Sequence, residues 1–170
     1  MGVNKIAILG ITGAGKSTLS RRIAERTGLP LFHMDALFWK KGWTEVPAEE
    51  YLKEHAEILQ NNSRWIIEGW LNPPMGNRLA QADLIVYLDY PGWLCALHYV
   101  ERWMKHRKVA RPELPEDSLD QFKWRRFFLV LFRWERPEIE ASLAYASDPS
   151  KIVRFKTPNE LEEYLKTAAF

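Results

Sequence analysis

Residues 10–17 read GITGAGKS, a complete GxxxxGK(S/T) loop set between an apolar run, KIAIL at 5–9, and a helical pattern over 18–27. That placement fixes both a local fold and a class of ligand. The glycines let the backbone turn its N–H groups inward around an anion, where bulkier residues would obstruct the turn. Lys16 adds a cation that reaches the outer phosphates of a bound polyphosphate, and Ser17 adds a hydroxyl that ligates magnesium. The helix opening here points its positive dipole end at the same anion. The motif therefore implies a nucleoside triphosphate bound at a strand-to-helix turn.

The chain has 170 residues, a single domain's worth, and its 46% hydrophobic content suits a packed core. Its longest apolar stretches, such as FFLVLF at 127–132, are too short to span a bilayer, and residue 1 leads into the first strand without a signal-like segment. No membrane partner is expected, and the expected location is cytoplasmic. The single cysteine, Cys95, sits among Trp93, Leu94, Ala96 and Leu97 and reads as a small core side chain. A net charge of +2 gives no general bias toward polyanions, but the charges are unevenly placed. Arg102, Lys105, Arg107, Lys108 and Arg111 come without an intervening acid, an acid-rich stretch follows at 113–120, and then Lys123, Arg125, Arg126, Arg133 and Arg136. Such a pattern fits a solvated face, a nucleic-acid surface or an arginine cage for phosphates.

Periodicity predicts a first helix over 17–27, burying Leu19, Ile23 and Ala24 and ended by Gly28 and Pro30. LFHMD at 31–35 reads as a second strand delivering Asp35 at its C-terminal end, the edge where open α/β sheets bind ligands. After Pro47, the residues Tyr51, Leu52, His55, Ala56, Ile58 and Leu59 fall at helical spacing. WIIE at 65–68 and LIVYLD at 84–89 are further strands ending in acids, with room for a short helix within 73–82. A long helix over 93–107 leads into a charged, proline-containing loop at 108–117. Ser118 and Gln121 predict a capping box that opens a helix running to Glu135, where Pro137 breaks or restarts it. KIVRF at 151–155 is the fifth strand, and Thr157 with Glu160 caps a last helix. Strands alternating with helices favour a parallel sheet, since each crossover needs a covering helix.

The segments ILGITGAGKSTLS, HMDALFWKKGW, WIIEGW, RLAQADLIVYLD and FRWERPEI together make the chain resemble the adenylate-kinase-like P-loop kinases. The resemblance is closest to the small bacterial proteins known as DNA-topology-modulation proteins, and it covers nearly the whole chain. It implies an α/β P-loop NTPase fold with a five-stranded parallel sheet in the order 2-3-1-4-5. It further implies an acceptor-side insertion at 36–62, a short lid at 108–117, and transfer of the γ-phosphoryl group of ATP, with Mg2+, to a small hydroxylated or phosphorylated acceptor. Carried over by position, Gly10, Gly13, Ala14, Gly15, Lys16, Ser17 and Thr18 hold the donor phosphates and magnesium. Asp35 stands where related kinases keep an acid near metal or acceptor, and Arg78 matches an acceptor-side arginine. Arg102, Arg107, Arg111, Arg126, Arg133 and Arg136 lie in segments that surround the transferring group. At Glu68-Gly69-Trp70 the chain departs from the Asp-Gly-Phe-Pro-Arg common in nucleoside monophosphate kinases, so the resemblance implies a kinase without naming its acceptor.

Phosphoryl transfer needs positioning and charge neutralisation, which a phosphate loop, magnesium, an acceptor-orienting acid and arginines supply. Glu68 and Asp89, like Asp35, are candidates to hold magnesium through water, and either also reads as the cap of a turn. Trp39, Trp43 and Trp70 cluster in the acceptor region, as stacking faces or as core, while Trp65, Trp93 and Trp103 read as structural. His33 is placed to orient Asp35; His98 and His106 lack metal-ligand companions. The rival reading is a nucleic-acid-binding regulator using ATP as a switch, with Trp124 or Trp134 stacking on single strands. The sequence leaves the oligomeric state open.

Overall fold

The central strand is β1 (Lys5–Gly10), apolar on both faces because it lies inside a sheet covered on both sides. The computed structural model describes residues 2–69, 76–112, 114 and 118–168. After β1 the chain turns into α1 (Lys16–Thr27), which Gly28 ends in the left-handed region by donating its N–H to the Ala24 carbonyl. β2 (Leu31–His33), α2 (Met34–Phe38) and a small antiparallel hairpin of β3 (Trp39–Lys40) and β4 (Thr44–Glu45) follow. Next come α3 (Ala48–Asn61), β5 (Trp65–Glu68), α4 (Asn77–Gln81), β6 (Leu84–Leu88) and α5 (Gly92–His106). The chain closes with α6 (Trp124–Leu131), α7 (Arg136–Ser142), β7 (Ile152–Phe155) and α8 (Pro158–Thr167).

The main sheet runs β2-β5-β1-β6-β7 and is parallel throughout. Counting its own strands, that is the order 2-3-1-4-5 that the resemblance implies. β1 lies between β5 and β6, so the chain crosses in opposite directions on its two sides, and the crevice this opens at the carboxyl ends of the strands is where such sheets bind ligands. Register aligns His33 with Glu68, Glu68 with Ile8, and Gly10 with Leu88 along that edge. The core is built from aliphatic residues on both sides of the sheet, Ile6, Ile8, Ile66, Ile67, Ile85 and Val86, with Leu19 and Ile23 of α1 in the same cluster.

Several local expectations are corrected. The second strand stops at His33, and Asp35 stands in the first turn of α2. The reason is the ladder: β5 ends at Glu68, His33's partner, so residues beyond His33 have no strand to pair with. The helix expected over 118–135 is only Trp124–Leu131. Asp120 donates its backbone N–H to the His106 carbonyl and Lys123 donates its own to Tyr99 Oη, so residues 118–123 are held against α5 in place of coiling. Arg133, at φ 56, then turns the chain, and α7 restarts with Pro137 in its first turn. Trp93, read from its apolar pattern as structural, is 59% exposed, whereas Cys95 is fully buried as expected. Of the segment 108–117, residues 113 and 115–117 lie outside the described residues; Arg111 and Leu114 within it are buried. Among the described residues no helix is long and apolar enough to cross a membrane.

Candidate active site

The phosphate loop hangs from β1 and is wedged against α5. A Cβ on Gly13, at φ 81, would lie 2.2 Å from the Cys95 carbonyl oxygen, so the loop follows this path only with glycine there. Lys16 Nζ donates to the carbonyls of Gly10 at 2.9 Å and Ile11 at 3.1 Å, which keeps the ammonium at the loop's start. His98 Nδ1 lies 3.0 Å from the Gly13 carbonyl and ties the loop to α5 a second time.

Ser17 donates its hydroxyl to Glu68 Oε1 at 3.0 Å, and His33 Nδ1 lies 2.6 Å from the same oxygen. His33 therefore partners Glu68, where the sequence suggested Asp35. Burial drives the Glu68 carboxyl upward, but the hydrogen bond from His33 and the nearby Lys16 charge outweigh it and hold Glu68 below its usual range. A hydroxyl and an ionised carboxylate side by side at a phosphate loop are hard oxygen donors of the kind magnesium takes, so Ser17 and Glu68 fit that ion.

Two cavities meet at this edge. One, of about 720 Å³, runs along the loop from Thr12 to Leu19 and is closed by α5, the Arg111 region and Pro158. The other, of about 490 Å³, is bounded by Trp39, Trp43, Tyr99, Trp103, Lys123 and Arg126. Thr12, Asp35, Arg102 and Arg111 line both. Asp35 thus stands at the junction. Burial, reinforced by the Glu68 charge, raises its pKa against the opposing pull of Lys16, Arg111 and Arg102.

The arginines divide. Arg111 lies 3.3 Å from Asp120 and over the Trp43 ring at 5.5 Å, and Arg102 lies 3.6 Å from Asp120 and 5.5 Å from the Tyr99 ring centre. Trp43 Nε1 in turn donates to the Leu119 carbonyl at 2.8 Å, joining the acceptor-side insertion to the segment after 117. Arg126 lines the second cavity and pairs with Glu135 at 2.6 Å. Arg133 and Arg136, assigned from sequence to the transferring group, line neither cavity: both pair with Asp89, joined by Arg154 at 3.5 Å. Asp89 ends β6 with its carboxylate buried, so three guanidiniums converge on it, and it lines neither cavity. Its proposed role toward magnesium gives way to that of an ion-pair hub.

Trp39 lines the second cavity as expected, whereas Arg78 lines neither cavity and is fully buried, donating to the Gly69 carbonyl at 3.4 Å. Burial lowers the Arg78 pKa to about 10. Trp70 lies outside the described residues. Sequence reasoning missed Thr12, Asp120, Lys123 and Glu135. Thr12 stood inside the phosphate-loop motif and Lys123 inside the basic stretch, and Glu135 is the single acid of 123–136, but none of these signals named a partner.

No protein-family model matches the chain. No curated protein matches it in sequence. Among solved structures it is similar to a shikimate kinase from Acinetobacter baumannii in complex with shikimate, at 17% identity over 96% of this chain and 92% of that one, with a TM-score of 0.56. It is also similar to a gluconokinase from Sinorhizobium meliloti 1021, at 16% identity over 98% of this chain and 89% of that one, with a TM-score of 0.53. At such identities the likeness is one of architecture, and with the parallel sheet and the phosphate loop it shows that the chain has the P-loop NTPase fold.

Proposed function

We propose that the protein transfers the γ-phosphoryl group of Mg-ATP to a small hydroxylated or phosphorylated acceptor, as a nucleotide-kinase-like phosphotransferase. The observation that carries this reading is the second cavity, rich in arginine and aromatic rings, opening onto the phosphate loop at Asp35. The loop's backbone N–H groups and Lys16 hold the donor phosphates, with Gly10, Gly13, Ala14, Gly15, Ser17 and Thr18 shaping the cradle. Ser17 and Glu68 would hold the magnesium ion, which when bound neutralises charge between the outer phosphates. Asp35 orients the acceptor hydroxyl and takes its proton as the new O–P bond forms and the bond to the leaving ADP breaks. Arg102 and Arg111, lining both cavities, offset the charge of the group in flight. Residues 108–117 act as the closing segment that excludes water.

The test is a screen of nucleosides, nucleotides and small hydroxylated metabolites for ADP release with Mg-ATP. Acceptor-stimulated release is expected for at least one class. ADP release that no acceptor raises, together with salt-sensitive DNA binding, would replace this reading with the regulator.

A further inference from the structure

The turn between α6 and α7 lays a carboxylate on the phosphate loop. Glu135 is 8% exposed; its Oε2 accepts the backbone N–H of Thr12 at 2.8 Å, and its Oε1 lies 3.2 Å from the Thr12 hydroxyl. Arg126 donates to that Oε1 at 2.6 Å. The turn is held in place from both sides. Arg133 adopts φ 56 and accepts the N–H of Arg136 on its carbonyl, while the side chains of Arg133 and Arg136, flanking Glu135, bind Asp89 at the end of β6.

Thr12 lines both cavities, and Glu135, which lines neither, reaches their junction through its hydrogen bonds to Thr12. Lys16, the cation that serves the outer phosphates in such loops, lies against the carbonyls of Gly10 and Ile11, at the same end of the loop. A carboxylate there takes donors that an anion would use and adds negative charge facing that anion. In such loops the backbone cradles the inner phosphates and the lysine reaches the outer ones, so the terminal phosphate is the group that would meet this carboxylate most closely.

We propose that Glu135 is a positioning residue that reads the third phosphate of the nucleotide. Its carboxylate ties Arg126 to Thr12, and the terminal phosphoryl group competes for the Thr12 donors, repels the carboxylate and releases Arg126 toward itself. The destination of Arg126 rests on the phosphotransferase reading; the discrimination between triphosphate and diphosphate does not.

The experiment is calorimetric titration of wild type, Glu135→Gln and Arg126→Ala with Mg-ATP and Mg-ADP. Glu135→Gln keeps the shape and removes the charge, so the preference for ATP over ADP should rise about tenfold, the scale of one unit-charge interaction in a partly screened site. Arg126→Ala leaves the carboxylate's charge uncompensated beside the loop, and the same preference should fall by a comparable factor. Arg126 is 46% exposed in its side chain, so its truncation spares the core. A purely structural Glu135 would change ATP and ADP affinity alike, or shift both variants in one direction, and either result overturns the proposal. Opposite shifts in a protein that phosphorylates no acceptor would uphold it and sink the phosphotransferase reading. A wild type that binds neither nucleotide overturns both.

Discussion

Gly13 shows how little freedom single positions of this site retain. Its φ of 81 is strained for any side chain, and the 2.2 Å approach of a Cβ to the Cys95 carbonyl is against rigid backbone. Gly13→Ala should therefore cost on the order of 3 kcal/mol, lowering the melting temperature by about 6–12 °C at this chain length. Gly28→Ala is the control: its φ is 66 but no atom stands within 4 Å of the new Cβ, so only the smaller conformational cost of about 1–2 kcal/mol applies. Asp35 is constrained by charge. Asp35→Asn should lower kcat about 10²-fold or more with ATP affinity nearly intact, since general-base catalysis contributes about 10²–10⁴. Because its pKa is raised, the active carboxylate form is lost while other carboxylates are still ionised. The acid limb of kcat/KM should accordingly lie above the usual carboxylate range and vanish in Asp35→Asn. Wild-type turnover in that variant would remove Asp35 from the mechanism.

At the scale of elements, α3 carries a pH-dependent contribution to stability. His55 is 2% exposed on its buried face, and burial, helped by the neighbouring Arg78 charge, lowers its pKa to about 4. The unfolded chain, near the ordinary 6.5, then takes up the proton first as pH falls. The contribution is whole above about pH 6.5, declines through the interval, and is gone below about pH 4, a swing of about 3 kcal/mol. Urea unfolding at stepped pH should show His55→Leu with a shallower slope than wild type between these limits; identical slopes would show that His55 titrates alike in both states. The apolar spacing of α3 was legible in the sequence, as was the capping box of α8, where Thr157 Oγ1 accepts the Glu160 N–H at 3.3 Å. The start of α6 was not. Ser118 and Gln121 have the right types for a cap, but α5 offers the segment's N–H groups better-placed acceptors at His106 and Tyr99.

For the molecule as a whole, occupation of the phosphate loop is expected to appear as stability. Mg-ATP at about one hundred times Kd adds about 2.7 kcal/mol, which at this size raises the melting temperature by about 5–11 °C. Lys16→Ala should lose most of that shift. No shift in wild type at millimolar Mg-ATP, or an undiminished one in Lys16→Ala, would show that the loop is not the binding site.

The sequence by itself determined the phosphate loop, five strands alternating with helices in a parallel sheet, and the placing of carboxylates near the strand ends, while the order of the strands came from the resemblance to the P-loop kinases. These rest on local signals: backbone turns that need glycine, periodicities of two and 3.6, and crossovers that need a covering helix. Tertiary structure decided which charges meet. His33 finds Glu68 across 35 residues, Arg133 finds Asp89 across 44, and Glu135 finds Thr12 across 123. Along the chain one arginine or carboxylate is equivalent to another, because Coulomb attraction carries no address. Only the packed backbone, by bringing Thr12 and the turn after α6 within hydrogen-bond reach, separates an acid of the site from an acid of the scaffold.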